Sequence, residues 1–153
     1  MTELKNDLHD MIKKLCEQGD ELADNENYSQ ALDLYWKAFD LAPEPKTNWE
    51  ATTWILAAIG DANFLNQDYK AGVDNLSNAM HCPNAIGNPF LHLRLGQCHF
   101  EIQNLDRAAD ELARAYALEG EEVFTEDDSK YFEFLKTRLT IEAPKKKPWW
   151  KIF

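Results

Sequence analysis

Long apolar runs are absent from this sequence. No stretch of about 18 consecutive apolar residues, the length that reads as a membrane-spanning helix, occurs in its 153 residues, and no membrane span is expected. The opening segment, Met1 to Asp10, is polar with three acidic residues, so it does not read as a secretory leader. Glycine and proline are sparse, six of each, which argues against a fibrous or low-complexity chain. Cysteine is limited to Cys16, Cys82 and Cys98, with no CxxC spacing. An odd, unpatterned set reads as reduced thiols, and a cytoplasmic location is expected. Basic residues are few: 16 Lys and Arg stand against 27 Asp and Glu, a formal net charge of −11. Phosphate binding needs clustered Lys and Arg, so the charge speaks against nucleic acid and anionic membrane and favours a basic partner.

Catalytic and metal-binding signatures are missing too. The sequence has no glycine-rich phosphate loop, no HExxH and no nucleophile elbow. His81-Cys82 and Cys98-His99 contain zinc-ligand types. Adjacent residues on a helix point about 100° apart, however, so Cys98 and His99 do not converge on one ion. No spacing among the many carboxylates singles out a catalytic pair. No enzymatic activity, metal or cofactor is expected. Asn88-Pro89-Phe90 matches a short endocytic motif, but a helix N-cap followed by proline at the first helical position explains it better.

What the chain does have is a repeat. Gly19, Tyr28, Ala31, Tyr35, Ala38 and Pro43 line up with Gly60, Tyr69, Gly72, Leu76, Ala79 and Pro83. Both line up with Gly96, Leu105, Ala108, Leu112, Ala115 and Gly120. In each copy a large residue, a small residue, a second large residue and an alanine follow the first glycine at the same spacings. This resembles the tetratricopeptide repeat (TPR) family, whose unit is a helix pair of about 34 residues. The resemblance implies an all-α fold of about seven helices: three TPR helix pairs and a C-terminal capping helix wound into a right-handed α-solenoid. A TPR domain over residues 1–142 is expected, with repeats at about 12–45, 53–86 and 89–120 and the capping helix at about 127–140.

Helices are expected at 3–24, 27–41, 47–66, 69–81, 89–103, 105–118 and 127–140. The first two repeat glycines are spaced by seven residues more than the family unit, close to two helical turns. That predicts a long third helix running through Trp49 and Trp54, started by a capping box of Thr47 and Glu50. The smaller excess of the next spacing is expected in the 82–88 loop. Thr125 to Asp128 offers the N-cap of the last helix. There Tyr131, Phe132, Phe134, Leu135 and Leu139 fall on one side and Glu133, Lys136 and Arg138 on the other.

In the family, the first helix of each pair lines a concave groove. Carrying those positions over gives Lys13, Cys16, Glu17, Asp20 and Asp24, then Trp54, Ala57, Asp61, Phe64 and Leu65, then Phe90, Leu93, Arg94, Gln97, Phe100 and Glu101. This implies an aromatic floor with an acidic wall, although an apolar stripe on a helix commonly faces the core instead. Relatives that bind chaperone C-terminal carboxylates use Asn and basic residues in the groove. Here Asp20 and Asp61 take the two Asn places, which disfavours a carboxylate and favours Lys, Arg or an amine. A second acidic surface spans Asp106 to Asp128, where nine Asp or Glu face only Arg107 and Arg114.

Residues 143–153 form a basic, Trp-rich tail with four Lys and no acid after Pro144. Trp149, Trp150 and Phe153 would be costly in water, so the tail is expected to dock on the acidic body, or else on a partner or a second copy; an anchor of aromatics and Lys at a membrane interface is the weakest reading, because anionic lipid repels the acidic body. The leading functional reading is a non-catalytic protein-binding adaptor or scaffold that takes a basic protein or peptide. The alternatives are an immunity- or antitoxin-like inhibitor of a basic toxin domain, and a self-assembling protein or homodimer joined through the tail.

Overall fold

The computed structural model describes residues 5–139. The tail residues Trp149, Trp150 and Phe153 lie outside that range. The described residues form α1 (Asn6–Asp24), α2 (Tyr28–Leu41), α3 (Glu50–Leu65), α4 (Tyr69–Ala79), α5 (Pro89–Glu101), α6 (Leu105–Glu119) and α7 (Lys130–Arg138). Short 3-10 turns at Lys46–Asn48 and Gly120–Phe124 precede α3 and follow α6. The described residues contain no strand. Helices pair as α1 with α2, α3 with α4 and α5 with α6; α2 stacks on α3, α4 on α5, and α1, α3 and α5 follow one another along the solenoid.

Each pair closes in the same way. Glu26, Gln67 and Gln103 sit at φ 61°, 62° and 67°. The amide three positions after the helix reaches back five residues, Asn27 to Leu22 at 2.8 Å, Asp68 to Asn63 at 2.8 Å and Asn104 to His99 at 2.9 Å. A left-handed residue followed by that backbone bond ends a helix tightly and satisfies its last carbonyls. Only a three-residue turn is then needed, and a turn that short makes the two helices antiparallel neighbours.

The repeat pattern has a steric cause. A methyl group placed on Gly19 would lie 2.6 Å from the Tyr35 ring, and one on Gly96 would lie 2.8 Å from Cγ of Leu112. On Gly60 it would collide with Leu76. The large residue of each second helix therefore rests on the bare backbone of the first. Tyr35, Leu76 and Leu112 are all buried, and the small residues Ala31, Ala38, Ala79, Ala108 and Ala115 are fully covered beside them.

Three expectations for the helices are corrected. The third helix does not run through Trp49. It starts at Glu50, after an extended residue at Trp49 (φ −111°, ψ 131°), and no capping box forms. The extra residues are spread instead, with α2 14 residues long against 11 for α4. The connection is tied to the end of α2: Lys46 donates to the carbonyls of Phe39 (2.9 Å) and Ala42 (2.6 Å), and Trp49 Nε1 to that of Pro43 (2.7 Å). These bonds hold Thr47 in a 3-10 turn, away from the helix start. The last helix begins at Lys130, because residues 120–124 form their own turn and Asp128 Oδ1 accepts the Lys130 amide at 3.0 Å. Finally, Leu139 stays exposed and does not join the packed side of α7.

A Gly96→Ala variant should lose about 1–3 kcal/mol of stability by overpacking against Leu112, whose backbone nitrogen is also within 3.0 Å of the added methyl group. Urea unfolding would show this as a lower midpoint at unchanged slope.

Candidate functional site

The concave face is built by α1, α3 and α5, and the structure divides the expected groove residues into two groups. At the α1 end, Lys13, Glu17, Asp20 and Asp24 are all exposed. Trp54 leans out from α3 with 42% of its surface exposed. His9 meets it edge-on, ring centroids 5.4 Å apart. His9, Lys13, Cys16, Glu17, Asp20 and Trp54 surround an open cavity of about 370 Å³, and Asp24 stands outside it. The helical spacing of residues 9, 13, 16, 17 and 20 was the signal that could have placed His9 here.

Asp20 has a second task. Its Oδ1 accepts the Tyr35 hydroxyl at 2.6 Å. Burial first, and this hydrogen bond second, push the Tyr35 phenol well above its ordinary range. Burial, with Asp20 and Glu17 adding repulsion, pushes the Cys16 thiol up to about 11. Cys16 is therefore held as a neutral thiol on the wall of this cavity.

At the α5 end the groove is filled by the chain itself. Arg94 is only 9% exposed. Its Nε donates to Asp61 Oδ1 at 2.8 Å, and one terminal nitrogen donates to Gln97 Oε1 at 2.8 Å and to Asp127 Oδ1 at 3.1 Å. The guanidinium carbon lies 4.3 Å from the Phe64 ring centroid and 5.2 Å from that of Phe90. Asp61, Phe64, Phe90 and Gln97 do come together as a cage for a guanidinium. The cage holds Arg94, so this part of the floor is not free for a partner's basic side chain. Sequence alone could not place Asp127, which comes from the far side of α6.

Phe100 and Glu101 are covered by α7. Phe100 packs edge-on against Tyr131 at 5.4 Å and Phe134 at 5.1 Å. Glu101 accepts the Tyr131 hydroxyl at 2.8 Å and pairs with Lys130 at 2.7 Å. Burial, then the bond to Glu101, push the Tyr131 phenol up as well. Leu93 is buried core, while Leu65 is exposed at the end of α3.

The histidines and cysteines of α5 are structural in arrangement. His92 and Glu111 are both buried, with Nδ1 2.6 Å from Glu111 Oε2. His92 Nε2 accepts the Gly87 amide at 3.1 Å. An amide can only donate, so the ring proton sits on Nδ1 and faces the carboxylate. Cys98 is fully buried against Gly72, and burial pushes its thiol up to about 12. Burial also lowers the pKa of His99, whose Nδ1 lies 3.3 Å from Asn104 Nδ2. Among the described residues no group of three or more His, Cys, Asp and Glu is placed to hold a metal ion, and no helix is long and apolar enough to cross a membrane.

The second acidic surface contains a second cleft, of about 350 Å³, between the start of α5 and residues 119–127. Phe90, Leu93 and Val123 line it, with Glu119, Glu122 and Glu126 among the carboxylates around them.

Arg94→Met should cost about 2–4 kcal/mol of unfolding free energy, because Asp61 and Asp127 would be left unpaired in a partly buried site; thermal or urea unfolding would read it. Tyr35 and Tyr131 add a pH dependence. Their folded pKa values lie above the unfolded one, so their contribution is complete below about pH 10 and is lost as pH rises beyond it. In an ultraviolet alkaline titration both phenols should stay protonated until the chain unfolds, and Tyr35→Phe should flatten the fall in stability above pH 10.

Solved structures resemble the chain. The first TPR domain of the human RPAP3 protein, determined by NMR, matches with a TM-score of 0.66 at 20% identity, covering 86% of this chain and 98% of that one. The crystal structure of the Sgt2 TPR domain from Aspergillus fumigatus matches with a TM-score of 0.64 at 18% identity, covering 95% of this chain and 91% of that one. No family model matches the sequence, and no curated protein matches it significantly.

Proposed function

From a tetratricopeptide-repeat fold whose concave face is open at one end and filled at the other, we propose that the chain is a non-catalytic protein-binding module. Its docking site is the α1–α3 half of the groove. The single observation that carries this reading is the cavity of about 370 Å³ between α1 and α3, with Trp54 half out of the protein above it. An exposed tryptophan beside a cavity is the residue type that dominates binding energy at interfaces. Two carboxylates, Glu17 and Asp20, stand on the wall, and Lys13 offsets part of their charge. An indole face flanked by carboxylates suits a lysine or arginine side chain from an extended segment of a basic partner. A C-terminal carboxylate fits poorly, because it would meet Asp20.

The net charge of −11 supports the same partner class by steering it toward the face. Asp61, Phe64, Phe90, Arg94, Gln97, Phe100 and Glu101 then have a supporting part: they seal the far end of the groove and stiffen α3 under Trp54.

The test is affinity capture from the native host with the full chain, followed by titration of the captured protein. Trp54→Ala should weaken binding at least about thirty-fold, the equivalent of about 2 kcal/mol for an interface hot spot. Glu17→Lys should weaken it as well, and more so at low salt. Glu17 is exposed, so Glu17→Lys should leave the unfolding midpoint in place; Trp54 is more than half covered and packs on His9, so Trp54→Ala lowers the midpoint and its binding is measured well below it. Capture that survives both substitutions undiminished would remove the site from this half of the groove.

A further inference from the structure

We propose that the cleft between the start of α5 and residues 119–127 is the docking site of the chain's own C-terminal segment, residues 144–153. The cleft has a volume of about 350 Å³ and an apolar floor of Phe90, Leu93 and Val123. Phe90 is 38% exposed, so the floor is not closed by its own neighbours. Glu119, Glu122 and Glu126 line the cleft, and among the described residues none of them is in an ion pair. The cation that borders the cleft, Arg94, has its bonds directed to Asp61 and Asp127. The cleft therefore combines an apolar floor with carboxylates that have no ion-pair partner among the described residues.

The C-terminal segment has the complementary chemistry. Lys145, Lys146, Lys147 and Lys151 carry four positive charges with no acid, and Trp149, Trp150, Ile152 and Phe153 are large and apolar. Its length also suits the distance. Arg138, the last residue of α7, pairs with Asp106 in the first turn of α6 at 2.9 Å. The cleft lies at the other end of α6, next to Glu119. A helix of 15 residues is about 22 Å long at 1.5 Å per residue. An extended chain covers about 3.3 Å per residue, so Lys145 to Lys147 come level with the cleft and Trp149 and Trp150 can enter it.

The α1–α3 cavity is a weaker match, because Lys13 and His9 share its wall. Tethering raises the local concentration of the segment to the order of millimolar, so modest contacts suffice to fill the cleft. This inference uses a different cavity from the proposed partner site, and either can fail without the other.

Zero-length carbodiimide cross-linking of the full chain at low concentration, read by peptide mass spectrometry, tests it. An equal mixture of ¹⁴N- and ¹⁵N-labelled chains separates links within a chain from links between chains. The expected products join Lys145, Lys146, Lys147 or Lys151 to Glu119, Glu122 or Glu126 within one chain. Glu126→Lys should lower the yield at the remaining Glu119 and Glu122 at least three-fold while leaving the unfolding midpoint unchanged. Links to Glu17 or Asp20 in place of these would overturn the assignment. Mixed-isotope links making up about half of the products, as random pairing of two copies gives, would assign the cleft to a second copy, and no tail cross-link at all would leave it without this occupant.

Discussion

A guanidinium nine-tenths withdrawn from water keeps its charge only where fixed acceptors replace its hydration. Arg94 finds Asp61 on α3, Gln97 on its own helix and Asp127 beyond α6. Two aromatic rings, Phe64 and Phe90, cover its faces. Three parts of the chain that share no local sequence therefore meet at one side chain. The path from α6 to α7 is pinned across the end of the solenoid by Asp127. α7 then lies over Phe100 and Glu101, where Tyr131, Phe134 and Lys130 complete the seal. If Arg94 did not neutralise Asp61 and Asp127, two carboxylates would face each other across the groove and the cap would be repelled from it.

The helix on which this depends is unusual in its surroundings. Every residue of α5 from Leu91 to Cys98 is buried, and so is His99, although His92, Arg94, Gln97 and His99 are polar. Buried polar groups are tolerable when paired; His92 and Arg94 are paired, while Nε2 of Gln97 and Nε2 of His99 have no partner among the described residues. His92 ties the Gly87 amide to Glu111 of α6, which fixes the entry loop against the helix that follows. Asn88 accepts the amides of Phe90 and Leu91 and closes the first turn. The entry of α5 is thus held rigid beside the acidic cleft, while its middle supports the Arg94 cage. By contrast α1 keeps one face open to water, where Glu17 and Asp24 are exposed and Asp20, though it accepts the Tyr35 hydroxyl, still reaches the cavity. The asymmetry between the two ends of the groove follows from which helix has a neighbour on its concave side.

Much of the fold was legible in the residues. Gly19, Gly60 and Gly96 with their large partners Tyr35, Leu76 and Leu112 marked three helix pairs correctly, because the contact recurs at one spacing in each pair and leaves a pattern. The Thr47–Glu50 capping box was a false signal. It has the right residues at the right spacing, but Lys46 and Trp49 bind the end of α2 and divert the backbone before a helix can start there. Within the groove, Lys13, Glu17, Asp20 and Trp54 came together around one cavity, whereas Asp61, Phe64, Phe90 and Gln97 came together around the chain's own arginine.

The sequence by itself determined the helix pairs and the glycine contacts that close them, Gly19 with Tyr35, Gly60 with Leu76 and Gly96 with Leu112. These depend on residues within one repeat, where helical periodicity places side chains with little freedom. Only the tertiary structure decided which groove residues remain open. Arg94 is 33 positions from both Asp61 and Asp127, too far for helical periodicity to bring the three side chains together. The long arginine side chain could have reached outward to a partner with the same local sequence. Its capture depends on the path of the chain after α6, which brings a carboxylate and then a helix across the end of the groove.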